Sequence, residues 1–103
     1  MKDEITVLEL EEILAKDSTV PLIDVRQPEE FAEINLKGKL IPLGEIPQRF
    51  NEIPKEGPVY IHCRSGKRSR TAIEFLKGQG YSNCINIQGG ILAWLELVNP
   101  EGR

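Results

Sequence analysis

Apolar residues recur at helical spacing in three stretches of the chain and form short unbroken runs elsewhere. In the first stretch, Thr6 and Glu9 have the spacing of a capping box, which predicts a helix from Val7 to about Lys16. The later stretches predict two more helices, with apolar positions at Ala72, Ile73 and Leu76 and at Ile91, Leu92, Trp94 and Leu95. Pro28 suits the first turn of a fourth, shorter helix.

Three short apolar runs lack helical spacing and are typical of strands that are buried on both faces. They cover residues 20–23, which lead into Asp24, residues 58–62 and residues 84–87; residues 40–41 are a fourth candidate. Strands that alternate with helices at this spacing are joined by right-handed crossovers, which favours parallel pairing. We therefore predict an α/β fold with a mainly parallel central sheet flanked by helices on both faces.

The size and composition of the chain are typical of one compact domain. Its 103 residues rarely suffice for a second hydrophobic core, so we expect a single domain over residues 1–103, and we expect it to be a monomer. No apolar run approaches the roughly 20 residues of a membrane span. The first residues also lack the basic and apolar regions of a signal peptide. We expect a cytoplasmic protein without a membrane partner.

The charges of the chain are unevenly distributed. The formal net charge is −3, but the stretch from Cys63 to Arg70 has no acidic residue. It holds four cations, which are Arg64, Lys67, Arg68 and Arg70. A small basic site on an otherwise acidic protein favours a small anion as ligand and argues against nucleic acid.

Cys63 directly follows the predicted strand at residues 58–62 and precedes a helix. In an open α/β sheet, ligands bind beyond the carboxyl ends of the strands, which is where this position places the thiol. Gly66 allows the loop to turn its N–H groups inward, and these donors, the helix N-terminus and the nearby cations favour a thiolate. Cys63 is therefore predicted to be a nucleophile. The alternative is a buried structural cysteine whose basic neighbours point to solvent.

Three stretches of the sequence, in order, resemble the signatures of the rhodanese family of sulfurtransferases. They are LIDVR at residues 22–26 with EF at residues 30–31, IHCRSG at residues 61–66, and GGI at residues 89–91 with AW at residues 93–94. The resemblance runs from Ile5 to Trp94. It implies that Cys63 accepts sulfur from a small anionic donor and carries it as a persulfide, without a cofactor.

The resemblance also implies roles for the rest of the cysteine loop. The backbone amides would cradle the persulfide, and Arg64 and Arg68 would steer the donor. The substrate-binding residues that it implies are Arg64, Ser65, Gly66, Lys67, Arg68 and Ser69. Because the loop is rich in cations, we expect thiosulfate rather than mercaptopyruvate as donor, and cyanide, a thiol or a protein as acceptor.

One segment departs from the family pattern. Family members usually have a histidine in the stretch that corresponds to residues 34–39, whereas this chain has INLKGK there and is one residue shorter. The local conformation of residues 33–42 is therefore not predicted by the resemblance. None of these residues is assigned to sulfur chemistry, so the chemistry is expected to be retained.

Four other residues near the predicted site have less reactive interpretations. Asp24 and Arg26 alternate at a strand end, and we expect them to support neighbouring loops through hydrogen bonds. His62 precedes Cys63 on a strand, so its side chain should point to the opposite face and have a packing role. With one histidine and no Cys-x-x-Cys spacing, no metal site is expected. Cys84 lies in an apolar run and is expected to be an inert, buried free thiol.

Two other functions fit parts of this pattern. A cysteine phosphatase would bind phosphate in a similar nest, but such enzymes place arginine six positions after the cysteine, and here that position is Ser69. Arg68 lies five positions after Cys63, so the loop suits a single sulfur better than a phosphoryl group. A non-catalytic interaction module of the same fold often lacks the cysteine, which is present here. We therefore predict a thiosulfate sulfurtransferase.

Overall fold

The computed structural model describes residues 3–98, which form five strands and five α-helices. The strands are β1 (Glu4–Ile5), β2 (Leu22–Asp24), β3 (Lys39–Leu40), β4 (Val59–His62) and β5 (Cys84–Ile87). The helices are α1 (Val7–Lys16), α2 (Pro28–Glu33), α3 (Ile46–Arg49), α4 (Lys67–Gly78) and α5 (Gly90–Leu97). Two 3₁₀ turns, Leu43–Glu45 and Phe50–Glu52, flank α3.

All five strands pair in parallel in one sheet with the order β1-β5-β4-β2-β3. The predicted α/β fold is confirmed. β5 coincides with the predicted run at residues 84–87, and β4 begins one residue later than predicted, at Val59. β2 begins at Leu22 and includes Asp24, and β3 begins one residue before the fourth candidate at residues 40–41.

The edge strand β1 has no counterpart among the predicted elements. It pairs Glu4 with Asn86 and Ile5 with Ile87 of β5. Two residues are too few to show the alternation by which a strand is recognised in a sequence. This short pairing places the Glu4 carboxylate beside Asn86, near the carboxyl end of β5.

Helix α1 begins at the predicted capping box. The Oγ1 atom of Thr6 accepts a hydrogen bond from the Glu9 N–H at 3.1 Å, and the Glu9 carboxylate accepts one from the Thr6 N–H at 2.9 Å. These two bonds satisfy N–H groups that have no partner within the helix. The predicted range, Val7–Lys16, is confirmed.

Apolar side chains fill both faces of the sheet because successive residues of each strand point to opposite faces. Ile61 belongs to the core beneath α3 and α4, and Tyr60 belongs to the core beneath α1 and α5. The predicted cover of helices on both faces is therefore confirmed. Within residues 3–98, no helix is long and apolar enough to cross a membrane.

The unusual segment at residues 34–39 forms a tight turn between α2 and β3. The Asn35 side chain accepts a hydrogen bond from the Lys37 N–H at 2.8 Å, and Lys37 has a left-handed φ of 66°. Gly38 lies so close to the first residue of β2 that a Cβ atom there would be 2.7 Å from the Leu22 carbonyl oxygen. The turn thus lies at the amino end of β2, whereas Cys63 follows the carboxyl end of β4.

Candidate active site

Cys63 follows the last residue of β4, a strand with neighbours on both sides in the sheet. The chain turns through residues 64–66, and α4 begins at Lys67. Gly66 makes this turn with a φ of 109°, which lies in the left-handed region that favours glycine. Cys63 is only 1% exposed, beneath a loop in which the side chains of Arg64 and Ser65 are exposed.

Hydrogen-bond donors surround the Cys63 sulfur. The Gly66 N–H donates to Sγ at 3.1 Å, and the Ser69 hydroxyl oxygen lies 3.5 Å from Sγ. Burial raises the pKa of the Cys63 thiol. The Ser69 hydroxyl and the amides of Ser69, Gly66 and Ser65 outweigh burial, so that the net pKa is lowered from the ordinary value. These donors favour the thiolate, which is the nucleophilic form of a cysteine.

The start of α5 holds the other side of the same loop. The Ile91 N–H donates to the Cys63 carbonyl at 2.9 Å, and the Leu92 N–H donates to the Arg64 carbonyl at 3.1 Å. Gly90 makes this approach possible, because a Cβ atom there would lie 2.4 Å from the Cys63 carbonyl oxygen. Gly90, the first residue of α5, therefore allows the helix to hold the backbone of the cysteine loop.

The four predicted cations have different surroundings. Arg64 and Lys67 are exposed at the loop. Arg70 is also exposed, and its guanidinium group forms an ion pair with Glu4 on β1. The charges of Arg64 and Lys67 thus face solvent beside the cysteine loop, whereas Arg70 points toward the edge strand β1.

Arg68 is held by Glu30 of α2. Its Nη1 and Nη2 atoms donate to the two carboxylate oxygens at 2.7 and 2.9 Å, and both side chains are about one-third exposed, at 32% and 30%. These hydrogen bonds raise the pKa of Arg68 and lower the pKa of Glu30 to about 2. The nearby Cys63 and Asp24 groups also raise the pKa of Arg68, but less than the hydrogen bonds to Glu30 do. Sequence reasoning identified Arg68 but missed the carboxylate that orients it.

Asp24, the last residue of β2, forms a buried ion pair with Arg26. The Nη2 atom of Arg26 donates to Asp24 Oδ2 at 2.8 Å, and Nε contacts both carboxylate oxygens at 3.0 and 3.1 Å. Arg26 also donates to the carbonyl groups of Glu30, at 3.4 Å, and Ile34, at 2.7 Å. The pair thereby ties α2 to the sheet, and α2 in turn carries the carboxylate that holds Arg68.

His62 contacts the backbone and the buried carboxylate. Its Nδ1 atom lies 3.4 Å from the Cys63 carbonyl oxygen, and its Nε2 atom lies 3.7 Å from Asp24 Oδ2. Among the described residues, Nε2 has no hydrogen-bond partner. Burial lowers the pKa of His62 more than the Asp24 charge raises it, which favours the neutral imidazole. These contacts are those of a packed side chain and do not form a Cys/His dyad.

Asn86 and Glu4, which were not identified from the sequence, are connected to the Cys63 sulfur through Ser69. The Ser69 hydroxyl lies 2.5 Å from Asn86 Oδ1, and Asn86 Nδ2 donates to Glu4 at 2.9 Å. Ser69 and Asn86 are both buried. The available signal was a polar residue, Asn86, within an otherwise apolar strand adjacent to the cysteine strand. Glu4 gave no signal because β1 was not predicted.

Cys84 is buried on β5, and burial raises the pKa of its thiol to about 11. Both cysteines are free thiols, as expected from the sequence. The pKa of Cys63 is thus lowered and that of Cys84 is raised. Cys84 is therefore a suitable reference thiol for Cys63.

Comparison with known proteins identifies similar chains over nearly the whole length. The family model described as a rhodanese-like domain matches residues 6–97. A sulfurtransferase of Allochromatium vinosum is 43% identical over 99% of this chain and 100% of its own length. The crystal structure of a rhodanese-like domain protein from Staphylococcus aureus has a TM-score of 0.81 at 38% identity and covers 91% of each chain. The human single-domain sulfurtransferase TSTD1 has a TM-score of 0.78 at 27% identity, over 94% of this chain and 98% of that chain.

Proposed function

Because the chain belongs to the rhodanese-like family of sulfurtransferases, we propose that Cys63 carries sulfur as a persulfide between a donor and an acceptor. The proposed donor is thiosulfate or a similar small sulfur anion. The proposed acceptor is cyanide or a thiol, either free or on a protein. The observation that carries the proposal is the position of the Cys63 sulfur among hydrogen-bond donors that lower its pKa.

The proposed reaction has two half-reactions, as in other ping-pong mechanisms. The Cys63 thiolate attacks the outer sulfur of thiosulfate, the S–S bond of thiosulfate breaks, and its electron pair leaves with sulfite. The new S–S bond leaves a persulfide anion on Cys63. Cyanide then attacks the outer sulfur, and the electron pair of the breaking bond returns to Cys63 as thiocyanate leaves.

The loop geometry suits both anionic forms of Cys63. The outer sulfur of a persulfide lies about 2 Å beyond Sγ, so it remains near the turn whose Gly66 N–H donates a hydrogen bond to Sγ. The Gly66 N–H already donates to Sγ, and α4 begins at the next residue, so the positive end of the helix dipole lies at the loop. Donors that are already in place stabilise a developing negative charge without reorganisation.

The cations of the loop support an anionic donor. Arg64 is exposed at the loop, and Arg68 is held in one orientation by Glu30. We propose that these two arginines bind the terminal oxygens of thiosulfate, since a charge-assisted hydrogen bond to a sulfonate-like oxygen is strong and directional. Glu30 then has an indirect role, because it orients Arg68.

Sulfur transfer from thiosulfate to cyanide tests the proposal. We expect the purified protein to release sulfite and thiocyanate, Cys63→Ala to abolish the reaction, and Cys84→Ala to retain it. The Cys84 variant is the matched control, since it removes the other buried free thiol. Sulfur transfer by Cys63→Ala would refute the proposal. Hydrolysis of an aryl phosphate, without sulfur transfer, would instead favour the cysteine phosphatase.

A further inference from the structure

Two buried polar residues, Ser69 and Asn86, connect the Cys63 sulfur to Glu4 at the edge of the sheet. We propose that Asn86 is a positioning residue whose side-chain oxygen competes with the Cys63 sulfur for the single hydroxyl proton of Ser69. This inference rests on the proposed role of Cys63 as the nucleophile. It adds a second layer of residues that controls how strongly the thiolate is stabilised.

Glu4 determines which way the Asn86 amide faces. A carboxylate only accepts hydrogen bonds, so the NH₂ group of Asn86 must face Glu4, from which it is separated by 2.9 Å. The parallel register pairs these two residues directly. The side-chain oxygen of Asn86 is thereby turned toward Ser69 and offers only an acceptor.

The Ser69 hydroxyl has one proton and three acceptors within reach. The Asn86 oxygen lies at 2.5 Å, the Gly66 carbonyl oxygen at 3.2 Å and the Cys63 sulfur at 3.5 Å. A proton given to Asn86 leaves only hydroxyl lone pairs facing the sulfur, which suits the S–H form of Cys63. A proton given to the sulfur stabilises the thiolate. Because Asn86 is the closest acceptor, it withholds part of this stabilisation.

Such competition favours a more reactive sulfur. The intrinsic nucleophilicity of a thiolate decreases as the pKa of its thiol decreases. The loop amides already stabilise the thiolate, and full donation by Ser69 would stabilise it further at the expense of its reactivity. Asn86 therefore limits the stabilisation of the Cys63 thiolate, so that the thiolate forms and remains nucleophilic enough to attack the sulfur donor.

The substitutions used in the test replace one uncharged residue by another, so they leave the charged groups around the cysteine loop in place. The charged and titratable groups around it are Arg64, Lys67, Arg68 and Arg70 of the loop and α4, Glu30 of α2, Asp24 and Arg26 at the end of β2, His62 of β4, and Glu4 of β1. Replacing Asn86 by leucine, which has a similar volume, or Ser69 by alanine changes none of them. A change in the titration of Cys63 in these variants therefore reports on the hydroxyl proton.

The test measures the rate of Cys63 alkylation by iodoacetamide against pH, with Cys84→Ala as background so that one thiol reacts. In Asn86→Leu, the Ser69 proton is released to the thiolate, a stronger acceptor than the neutral Gly66 carbonyl. We expect the midpoint to move to lower pH, the rate below the midpoint to rise about threefold and the plateau rate to fall about threefold. Ser69→Ala should move the midpoint to higher pH.

Two controls separate this effect from a loss of packing. In the Ser69→Ala background, Asn86→Leu should leave the midpoint unchanged, because there is no hydroxyl proton to release. Asn83→Leu removes another buried asparagine, which directly precedes β5, at the end of the sheet opposite the cysteine loop, and donates to the Pro54 and Gly57 carbonyls. This variant should also leave the midpoint unchanged.

The direction of the shift decides the outcome. If Asn86 only packs the loop, its loss loosens the donors, and the midpoint moves upward toward the value of about 8.5 for a free thiol, which would overturn the proposal. A downward shift that persists in the Ser69→Ala background would also overturn it. If Asn86→Leu does not fold, Asn86→Ala is expected to give the same Ser69-dependent downward shift, because it also removes the competing acceptor and changes no charge. Alkylation requires no sulfur transfer, so the result stands whether or not thiosulfate is the donor.

Discussion

Replacement of Gly90 by alanine would test how strongly the last helix holds the cysteine loop. Gly90 has a left-handed φ of 57°, and a Cβ atom there would lie 2.4 Å from the Cys63 carbonyl oxygen and 2.6 Å from that of Arg64. Close C···O contacts in proteins are about 3.3 Å or longer. The helix and the loop must therefore separate by about 1 Å to admit one methyl group.

The cost of this substitution has two parts. An alanine in the left-handed region costs roughly 1–2 kcal/mol. The separation also weakens the hydrogen bonds from Ile91 and Leu92 to the loop, now 2.9 and 3.1 Å long, each worth about 1 kcal/mol. The expected loss is about 3–4 kcal/mol, a large part of the roughly 5–15 kcal/mol that stabilises a typical domain.

Urea unfolding of Gly90→Ala and Gly57→Ala would measure this cost. Gly57 also has a left-handed φ, 74°, but nothing lies within 4 Å of a Cβ atom there, so its variant bears only the backbone part. Gly90→Ala should lose about 2 kcal/mol more than Gly57→Ala, and its rate of sulfur transfer should fall while that of Gly57→Ala does not. Equal losses of stability in the two variants would refute the reasoning.

Two further predictions concern the cations and their carboxylate partners. In Arg64→Ala and Arg68→Ala, steady-state kinetics should show a higher KM for thiosulfate and a loss of roughly tenfold to a hundredfold in kcat/KM. Arg70→Ala should reduce kcat/KM much less. Equal small losses of kcat/KM in the three variants would indicate that a diffuse positive field, and not these two arginines, attracts the donor. Because the folded pKa of Glu30 is lowered to about 2, its ion pair stabilises the fold above the unfolded pKa and is lost as pH falls toward 2. Glu30→Gln should therefore reduce the loss of unfolding free energy between pH 5 and pH 2, by less than about 1 kcal/mol because the pair is partly exposed; an unchanged slope would contradict the pairing.

The sequence predicted those features that depend on neighbouring residues. The capping box at Thr6 and Glu9 determined the start of α1, because its two hydrogen bonds join residues three positions apart. The place of Cys63 between a strand and a helix followed from a run of apolar residues that ends at His62. Local spacing of this kind contains enough information to locate a helix, a strand or the loop between them.

Contacts between distant residues were not predictable in this way. Glu30 and Arg68 are 38 positions apart, and Glu4 and Asn86 are 82 positions apart. A surface carboxylate has the same local pattern whether or not a distant arginine meets it, so periodicity cannot identify the pair. Asn86 was overlooked for a related reason, since its polar side chain became meaningful only when β1 was placed beside it.

The range of these contacts also sets an order of assembly during folding. The partners of Arg26 lie two, four and eight positions away, so β2 and α2 can associate after only short loops have closed. The pairing of β1 with β5 closes a loop of about eighty residues, and the entropy lost in closing a loop increases with its length. We expect β1 to join the sheet late, after α4 and β5 have docked. The cysteine loop would then form before Glu4 reaches Asn86, and the orientation of the Ser69 hydroxyl would be among the last features of the native state to be established.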